Sequence, residues 1–498
     1  MRQHTSGQRL SWGGQFLHTA VGMVLFQALA LVSGVLVARG LGPEGQGKFQ
    51  LIVSVSMFLS ILVRLGLDEG LAYQLPNYQQ TRPNAVAGLI AYAVGMPTVL
   101  SVAISLLLWG VSGWPLVGQI LGDNLLSQMA YLPWLLPSTT LLLMNLAVLR
   151  GLGRSDLRAY VYYYGVGIAY LVGLGVLGVA GLTSETVVAS RTGSYVLGSL
   201  LTFGIIAGYL KRGWRQMSGV EFRKVHSFGF FVILSGLLQY MVDTPLVDLI
   251  IVGRVGTDWE LGVYSVASRI GLLVALVANA MTVALGPILA NLQASQLERR
   301  DEVYRKASEW MARLSTFAGL GILLMRTEAL MLFGSDYTEG STLLLVFTLG
   351  NIGVSLLGLN APLLLSAGYA KLEFALTLVA GLLMIVLGTG LGIAFGALGV
   401  AAATAASALL LGLARRIAVG RVFGLRTLSW IVPVAIAGLA AYLPAELLRN
   451  VDGGVLRSLV ALAVFVGVYL IISWRQGALD TLPWRLGRDQ RAGHQTGH

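Results

Sequence analysis

Residues 16–37 have the sequence FLHTAVGMVLFQALALVSGVLV, which contains no Asp, Glu, Lys or Arg. A helix needs about 20 apolar residues to cross the hydrocarbon core of a bilayer, and an uncharged run of this length is typical of such a helix. The apolar core of a cleaved signal peptide is shorter, at roughly 7–15 residues. We therefore interpret residues 16–37 as a retained first transmembrane helix.

The composition of the whole chain agrees with this interpretation. Hydrophobic residues make up 56% of the 498 residues and charged residues only 11%, whereas soluble domains carry about 25% charged residues. A bilayer accepts this much apolar surface because helices satisfy their own backbone polar groups. The 63 glycines suit close helix–helix approach in lipid. The sequence predicts an all-α integral membrane protein.

Apolar segments bounded by charge, Gly or Pro predict about fourteen transmembrane helices. They lie at residues 16–37, 49–67, 85–110, 126–149, 161–182, 186–210, 228–253, 261–285, 312–333, 341–366, 371–396, 398–419, 428–448 and 455–474. Asn279, Asn351 and Asn360 within them are predicted to form hydrogen bonds between helices.

An internal repeat divides these helices into two lobes. Val37-Ala38-Arg39 resembles Val252-Gly253-Arg254, and the same offset of 215 residues aligns Gly153 with Gly368. Repeats in the same orientation are common in transporters and predict two six-helix lobes, followed by a further helix pair. The predicted domains are an N-lobe (1–210), a cytoplasmic linker (211–227), a C-lobe (228–419), helices 13 and 14 (420–474) and a basic cytoplasmic tail (475–498).

The basic residues predict the orientation of the chain. If both termini are cytoplasmic, the inner segments hold 25 of the 34 lysines and arginines, as the positive-inside rule requires. We therefore expect a multi-pass protein of the plasma membrane with both termini inside. This asymmetry explains most of the net charge of +11, so nucleic acid is not an expected partner.

Two basic segments are expected to contact anionic lipid headgroups on the cytoplasmic side. Residues 292–313 alternate apolar residues such as Val303 and Tyr304 with basic ones such as Arg300 and Arg305. This pattern is typical of a helix lying in the headgroup region. The tail adds Arg485 and Arg488, among others, which favour the same lipids.

Other chemistry has little support in the sequence. The chain has no cysteine and only five histidines, so we expect no disulfide, metal site or cofactor.

One segment matches the dinucleotide pattern G-x-G-x-x-G. It is Gly40-Leu41-Gly42-Pro43-Glu44-Gly45, with Asp68 23 residues later. The pattern requires a preceding strand, whereas a long apolar helix precedes it here. We interpret the segment as a tight turn that uses the backbone freedom of glycine.

Three segments carry a resemblance to a known family. They are Val37-Ala38-Arg39-Gly40-Leu41-Gly42-Pro43-Glu44-Gly45, Arg150-Gly151-Leu152-Gly153-Arg154, and Asp248 followed by Gly262-Val263-Tyr264-Ser265-Val266-Ala267. They resemble signatures of the polysaccharide-biosynthesis flippases, the oligosaccharide flippase branch of the multidrug/oligosaccharidyl-lipid/polysaccharide exporter superfamily. The resemblance spans the whole chain in helix number and order.

The resemblance implies a mechanism and a cargo. It implies two lobes around a central cavity, alternating access, and a lipid-linked oligosaccharide whose lipid is a polyprenyl pyrophosphate. The protein would then belong to cell-surface polysaccharide biosynthesis in the cytoplasmic membrane of a bacterium or archaeon. Polysaccharide assembly enzymes are the partners that this role implies.

Three arginines within apolar segments are candidate substrate-binding residues: Arg269, Arg64 and Arg191. A charge at the centre of a spanning helix costs at least about 2.5–3.5 kcal/mol, so such residues usually face a cavity or a partner. A guanidinium group also matches a pyrophosphate through paired hydrogen bonds. Arg64 and Arg191 lie near predicted helix ends, where snorkelling to the interface is an equal alternative.

Asp243 and Asp248 are candidate ion-coupling residues on predicted helix 7. Pro245 lies between them and can free backbone carbonyls, as in transporter helices that bind ions. One hypothesis is a sodium or proton site that couples transport to a gradient. The alternative is a structural ion pair between Asp243 and Arg269. Asp248 is the residue that matches the family pattern.

Two other functions compete with a flippase. A proton- or sodium-coupled multidrug antiporter needs acidic groups in its cavity, yet helix 1 has no Asp or Glu. A membrane glycosyltransferase or ligase needs carboxylates or histidines on an outer loop. The acidic pair Asp68-Glu69 lies on the predicted inner side, so an enzyme is not expected.

Overall fold

The computed structural model describes residues 12–114, 123–210, 246–291, 297–425, 428–449 and 454–477. Every secondary-structure element in these ranges is helical, which confirms the predicted all-α fold. Contacts divide the chain into two compact units, Met1–Tyr240 (unit 1) and Met241–His498 (unit 2). The finer lobe and linker boundaries stay predictions.

Unit 1 is a bundle of helices around one buried central helix. Its helices are α1 (Trp12–Arg64), α2 (Leu67–Thr81), α3 (Val86–Val111), α4 (Leu132–Gly151), α5 (Ser155–Ala159), α6 (Gly167–Leu177) and α7 (Ser184–Leu210). A π-helix, Tyr160–Val166, joins α5 to α6. The central helix is α4, which packs against α1, α2, α3 and α7.

Unit 2 is built in the same way around α12. Its helices are α8 (Leu246–Val255), α9 (Asp258–Asn291), α10 (Leu297–Leu324), α11 (Arg326–Met331), α12 (Ser341–Leu356), α13 (Asn360–Ser366), α14 (Ala370–Phe423), α15 (Ile431–Arg449) and α16 (Gly454–Arg475). The α12 helix packs against α9, α10 and α14.

Within the described residues, nine helical segments are long and apolar enough to cross a membrane. Two of them, Leu25–Arg64 with 40 residues and Ala370–Phe423 with 54, exceed a single crossing. Each is interrupted by a glycine with non-helical backbone angles, Gly42 (φ 66°, ψ 178°) in α1 and Gly396 (φ 61°, ψ −145°) in α14. Each therefore joins two of the predicted helices. The total of fourteen stays a prediction.

The bend at Gly42 also settles the role of the glycine-rich segment in α1. Helix precedes and follows it, so the strand that a dinucleotide-binding loop needs is not there. The positive φ of Gly42 is a conformation that glycine adopts without steric cost. As interpreted from the sequence, the segment is a tight turn between two membrane helices.

The predicted repeat is supported by local backbone structure. Gly153 and Gly368 both have left-handed backbone angles, with φ of 73° and 87°. The amide of Arg154 donates to Leu149 O at 2.9 Å, and that of Tyr369 donates to Leu364 O at 3.0 Å, again 215 residues apart. These are the hydrogen bonds of a glycine-terminated helix end. The two units therefore end equivalent helices in the same way.

The structure changes the interpretation of the amphipathic segment 292–313. Its described part belongs to α10, which runs without interruption from Leu297 to Leu324. The apolar residues Val303, Tyr304 and Met311 are buried in an apolar cluster with residues of α13, α14 and α15. The apolar side of this part therefore packs against protein, and contact of its basic residues with lipid headgroups stays a prediction.

Interhelical hydrogen bonds of two predicted asparagines are confirmed. Asn360 Oδ1 accepts from the Tyr304 hydroxyl at 2.7 Å, which ties α13 to α10. Asn351 Nδ2 donates to the carbonyl of Gly271 at 3.2 Å, which ties α12 to α9. The side chain of Asn279 is exposed.

The final helix pair, α15 and α16, is anchored to α10 and α11. In the middle of the pair, Phe317 of α10 stacks on Phe465 of α16 with ring centroids 5.5 Å apart. At one end, Arg313 Nη1 donates to Gln476 Oε1 at 2.8 Å. At the other end, Arg449 pairs with Glu328 at 3.6 Å. The pair is thus a fixed part of unit 2.

The repeat predicts that substitution of Gly153 and of Gly368, at the two equivalent helix ends, destabilises the protein equally. We expect Gly153→Ala and Gly368→Ala each to destabilise the protein by about 1–2 kcal/mol, the cost of a left-handed backbone for an L-residue. Neither added methyl group meets an atom within 4 Å, so backbone strain alone is tested. The measurement is the thermal unfolding midpoint of the purified protein in detergent.

Gly390→Ala is the matched control for these variants. Gly390 lies inside α14 with ordinary helical angles and open space around it. Alanine there should leave stability equal or raise it by up to about 1 kcal/mol. Unchanged midpoints for both Gly153→Ala and Gly368→Ala would contradict the assigned helix ends.

Candidate functional site

Arg64, at the end of α1, forms an ion pair with Asp68 of α2. Its Nε also donates to the carbonyl of Ser60 at 3.0 Å. Arg150, at the end of α4, joins the same group by pairing with Glu69 at 2.7 Å. The charge of Arg64 is thus compensated by a neighbouring carboxylate, and the residue holds helix ends together.

Arg191 lies in a different environment, two turns into α7. Its guanidinium carbon lies 4.9 Å from the ring centroid of Tyr170 in α6 and 5.0 Å from that of Tyr195 in α7. Both tyrosines are buried. A guanidinium over an aromatic face is attracted by the ring quadrupole, most strongly where water is excluded. We call Arg191, Tyr170 and Tyr195 the arginine site.

No carboxylate among the described residues pairs with Arg191. Its neighbours are the rings of Tyr170 and Tyr195, and its Nε atom is buried without a hydrogen-bond partner. The rings hold the cation without neutralising it. A partly buried cation of this kind is able to bind an anion through charge-assisted hydrogen bonds.

A glycine brings the two helices of the arginine site together. A Cβ atom added at Gly173 of α6 would lie 3.1 Å from Cβ of Ser190 in α7. Tyr170 lies one turn before Gly173 and Arg191 directly follows Ser190, so this close approach places the ring beside the guanidinium. Arg64 lies at the opposite side of unit 1, because the helix from Ser155 to Leu177 crosses the unit between Arg150 and α7.

An aromatic cluster of Phe26, Tyr162 and Tyr163 adjoins the arginine site. Phe26 of α1 stacks on Tyr162 with ring centroids 5.1 Å apart and an interplanar angle of 25°. Tyr163 lies edge-on to both, at 5.7 Å from Phe26 and 5.6 Å from Tyr162. Sequence reasoning missed this cluster. The signal for it was three consecutive tyrosines, Tyr162 to Tyr164, within an apolar segment.

Asp248 of α8 is buried in unit 2 and accepts two hydrogen bonds on Oδ2. The Tyr264 hydroxyl of α9 donates at 3.0 Å, and Thr404 Oγ1 of α14 donates at 3.2 Å. Thr404 has one hydroxyl proton, which is shared between Asp248 and the carbonyl of Val400 in its own helix, 3.0 Å away. We call Asp248, Tyr264 and Thr404 the aspartate site. Three helices of unit 2 meet there.

The other predicted site residues are Arg269, Asp243 and Arg64. Arg269 lies on α9, partly exposed, five residues after Tyr264. Asp243 lies outside the described residues, so its predicted ion pair with Arg269 stays a prediction. The two candidate arginines of unit 1, Arg64 and Arg191, do not meet. Among the described residues, no three acidic or histidine side chains gather in a way that could hold a metal ion.

Comparison with known proteins gives one family match. The model of the polysaccharide biosynthesis protein family matches residues 13–293, which is more than half of the chain. Comparison with curated proteins finds no match.

Solved structures of transporters resemble most of the chain. The lipid II flippase MurJ, in an inward closed conformation, is 17% identical with a TM-score of 0.73, covering 92% of this chain and 98% of its own. An inward-facing multidrug resistance MATE family transporter of the MOP superfamily is 15% identical with a TM-score of 0.68, covering 82% and 98%. A MOP superfamily transporter from Pyrococcus furiosus is 16% identical with a TM-score of 0.55, covering 82% and 94%. These likenesses show that the chain has the fold of multi-pass membrane transporters.

The close approach of α6 and α7 predicts a sensitive position in the arginine site. We expect Gly173→Leu to destabilise the protein by about 1–3 kcal/mol, because its side chain would force the helices apart. The thermal unfolding midpoint in detergent measures this change. Gly175→Leu is the matched control two residues away, where a Cβ atom meets nothing within 4 Å. Equal midpoints for the two variants would contradict the helix contact.

Proposed function

Because the chain belongs to the polysaccharide biosynthesis protein family, we propose that it flips a lipid-linked oligosaccharide from the inner to the outer leaflet of the cytoplasmic membrane. The cargo is a polyprenyl pyrophosphate that carries a glycan for the cell surface. The physical difficulty is to move an anionic, hydrated headgroup through hydrocarbon while the lipid tail stays in lipid. Alternating access of a polar, positively charged site to the two sides solves this difficulty.

The arginine site is the observation that carries this proposal. Arg191 is an intramembrane cation that no described carboxylate neutralises, and it is held by two tyrosine rings. A site for an anion needs such a charge, whereas a purely structural arginine would be paired, as Arg64 is with Asp68. A pyrophosphate supplies the oxygen atoms that the guanidinium donors lack.

The two alternative functions have less support. A multidrug antiporter for organic cations would meet a repulsive charge at Arg191. A glycosyltransferase or ligase is disfavoured because the matched family and the structural neighbours are transporters and flippases, not enzymes. Their likeness to this chain shows the fold, and the cargo is inferred from the arginine site and the family together.

The orientation and the other partners form part of the proposal. The distribution of Lys and Arg supports cytoplasmic termini, in which case the basic tail faces anionic lipid on that side. Arg269, on the partly exposed side of α9, is a second candidate for the cargo headgroup. Enzymes of polysaccharide assembly would supply the cargo on the inner face and use it on the outer face.

We also propose that the aspartate site couples transport to an ion gradient. Asp248 is a buried carboxylate, and the side chains that donate hydrogen bonds to it within the described ranges are two hydroxyl groups and no cation. A buried carboxylate without a cationic partner has a strong preference for either a proton or a bound cation. The carboxylate can accept a proton, and carboxylate and hydroxyl oxygens can both coordinate a sodium ion. Asp243, on the same predicted helix, is the second candidate.

Loss of the charge on Arg191 should abolish most transport. In liposomes that contain a fluorescent polyprenyl-pyrophosphate oligosaccharide, a membrane-impermeant quencher reports how fast the headgroup changes leaflets. We expect Arg191→Gln to slow this exchange by about ten-fold or more, the loss of at least one charge-assisted hydrogen bond.

The matched control for Arg191→Gln is Arg305→Gln, which removes an exposed arginine of α10. It should leave the rate unchanged. Wild-type exchange with Arg191→Gln would refute the arginine site. Uptake of organic cations by the same vesicles, without headgroup exchange, would support the antiporter instead.

Ion coupling at the aspartate site predicts that a variant can lose its response to an ion gradient without losing transport itself. Wild-type protein should exchange headgroups faster when a sodium or proton gradient is imposed across the liposome membrane. Asp248→Asn keeps an acceptor for Tyr264 and Thr404 but removes the charge, so it should retain the gradient-free rate and lose the acceleration. Asp336→Asn, which changes an exposed carboxylate, should behave as wild type. If Asp248→Asn still responds to the gradient, the aspartate site is not the coupling site.

A further inference from the structure

The aromatic cluster of Phe26, Tyr162 and Tyr163 lies away from the lipid-facing side of its helices. On α6, Ile168, Val172 and Val176 are strongly exposed at a spacing of four residues, which marks the side that faces lipid. Tyr162 packs against a buried apolar cluster that includes Leu142 and Leu146 of α4. It therefore faces into unit 1.

Phe26 shows the same placement on α1. Val32 and Leu36 are exposed, whereas Ser33 and Val37 are buried. Phe26 precedes Ser33 by seven residues, or two turns, so it lies on the buried side of the helix. It stacks on Tyr162 from there. The cluster therefore joins the inward sides of α1 and the π-helix.

Phe26, Tyr162 and Tyr163 are nevertheless partly exposed. A side chain that faces into the bundle and stays partly exposed borders a recess within unit 1. The tyrosine hydroxyls lie about two turns from the start of α5, at a depth where bare hydrocarbon would leave them unsatisfied. A polar ligand or water in the recess would satisfy them. The π-helix that presents these tyrosines is a rare element that often marks functional sites.

We propose that this aromatic cluster stacks against a sugar ring of the cargo. A pyranose has an apolar face of C–H bonds, and an aromatic ring attracts them through its negative face. Its hydroxyl groups can bond to the tyrosine hydroxyls at the edge of the cluster. The proposal rests on the proposed function, because it takes the ligand to be a glycan attached to a diphosphate.

The position of Tyr162 supports this assignment. Tyr162 stacks on Phe26 and also packs against the buried apolar cluster that contains Tyr195. Tyr162 therefore connects the aromatic cluster to the arginine site. A diphosphate at Arg191 would carry its first sugar toward the cluster, since the sugar is bonded directly to the diphosphate.

The test compares two ligands that differ by one sugar. One is a short-chain polyprenyl diphosphate, and the other is the same lipid diphosphate carrying a single N-acetylhexosamine. Both are titrated against the full-length protein in nanodiscs. We expect wild type to bind the glycosylated ligand about three- to ten-fold more tightly, the range for one aromatic contact. Phe26→Leu keeps an apolar side chain of similar size but removes the ring, so it should abolish the difference and leave binding of the bare lipid diphosphate unchanged.

Phe26→Tyr restores a ring and should keep the preference for the glycosylated ligand. Tyr163→Leu should reduce the preference and Tyr163→Phe should keep it. Retention of the full preference in both Phe26→Leu and Tyr163→Leu would overturn the proposal, as would equal binding of the two ligands by wild type. Arg191→Gln tests the proposed function separately, because it should weaken both ligands by the same factor.

Discussion

An arginine enclosed by apolar helices needs a compensating charge or a polarisable surface, and this requirement shapes both units. The cost of an uncompensated charge away from water is several kcal/mol. Arg64 pairs with Asp68, Arg415 of α14 with Glu373, and Arg449 with Glu328. These pairs tie two helices together or connect the two halves of a bent one. Arg191 meets the same requirement with tyrosine rings and keeps its charge available.

The sequence was sufficient for the fold class because the bilayer restricts the choice of structure. Every polar backbone group must pair within its own segment, so apolar runs become helices. The bends at Gly42 and Gly396 fall where apolar helices were predicted to meet. The offset that joins Gly153 to Gly368 was visible in a few residues, and the structure supports it through left-handed glycines and shared hydrogen bonds.

The sites were predictable only in part. Arg191 and Asp248 stood out because charge is rare in apolar segments, but their surroundings depend on contacts between distant parts of the chain. Thr404 is 156 residues from Asp248, and no local pattern connects them. Segment 292–313 showed the limit of periodicity, since an amphipathic pattern does not distinguish lipid from a protein surface as the apolar partner. In α10, the partner is protein.

The two repeats have become chemically different on the same scaffold. The offset of 215 residues places Ser33, Phe49 and Ala189 where unit 2 has Asp248, Tyr264 and Thr404. It places Ile385, Ala406 and Leu410 where unit 1 has Tyr170, Arg191 and Tyr195. Each repeat therefore lacks the polar site of the other repeat. The equivalent positions hold apolar residues and one serine. In the proposed function, the anionic cargo would bind at the arginine site of unit 1 and the coupling cation at the aspartate site of unit 2, so that both would be bound at the same time. Simultaneous binding of this kind is one way for the occupancy of one site to influence transport from the other.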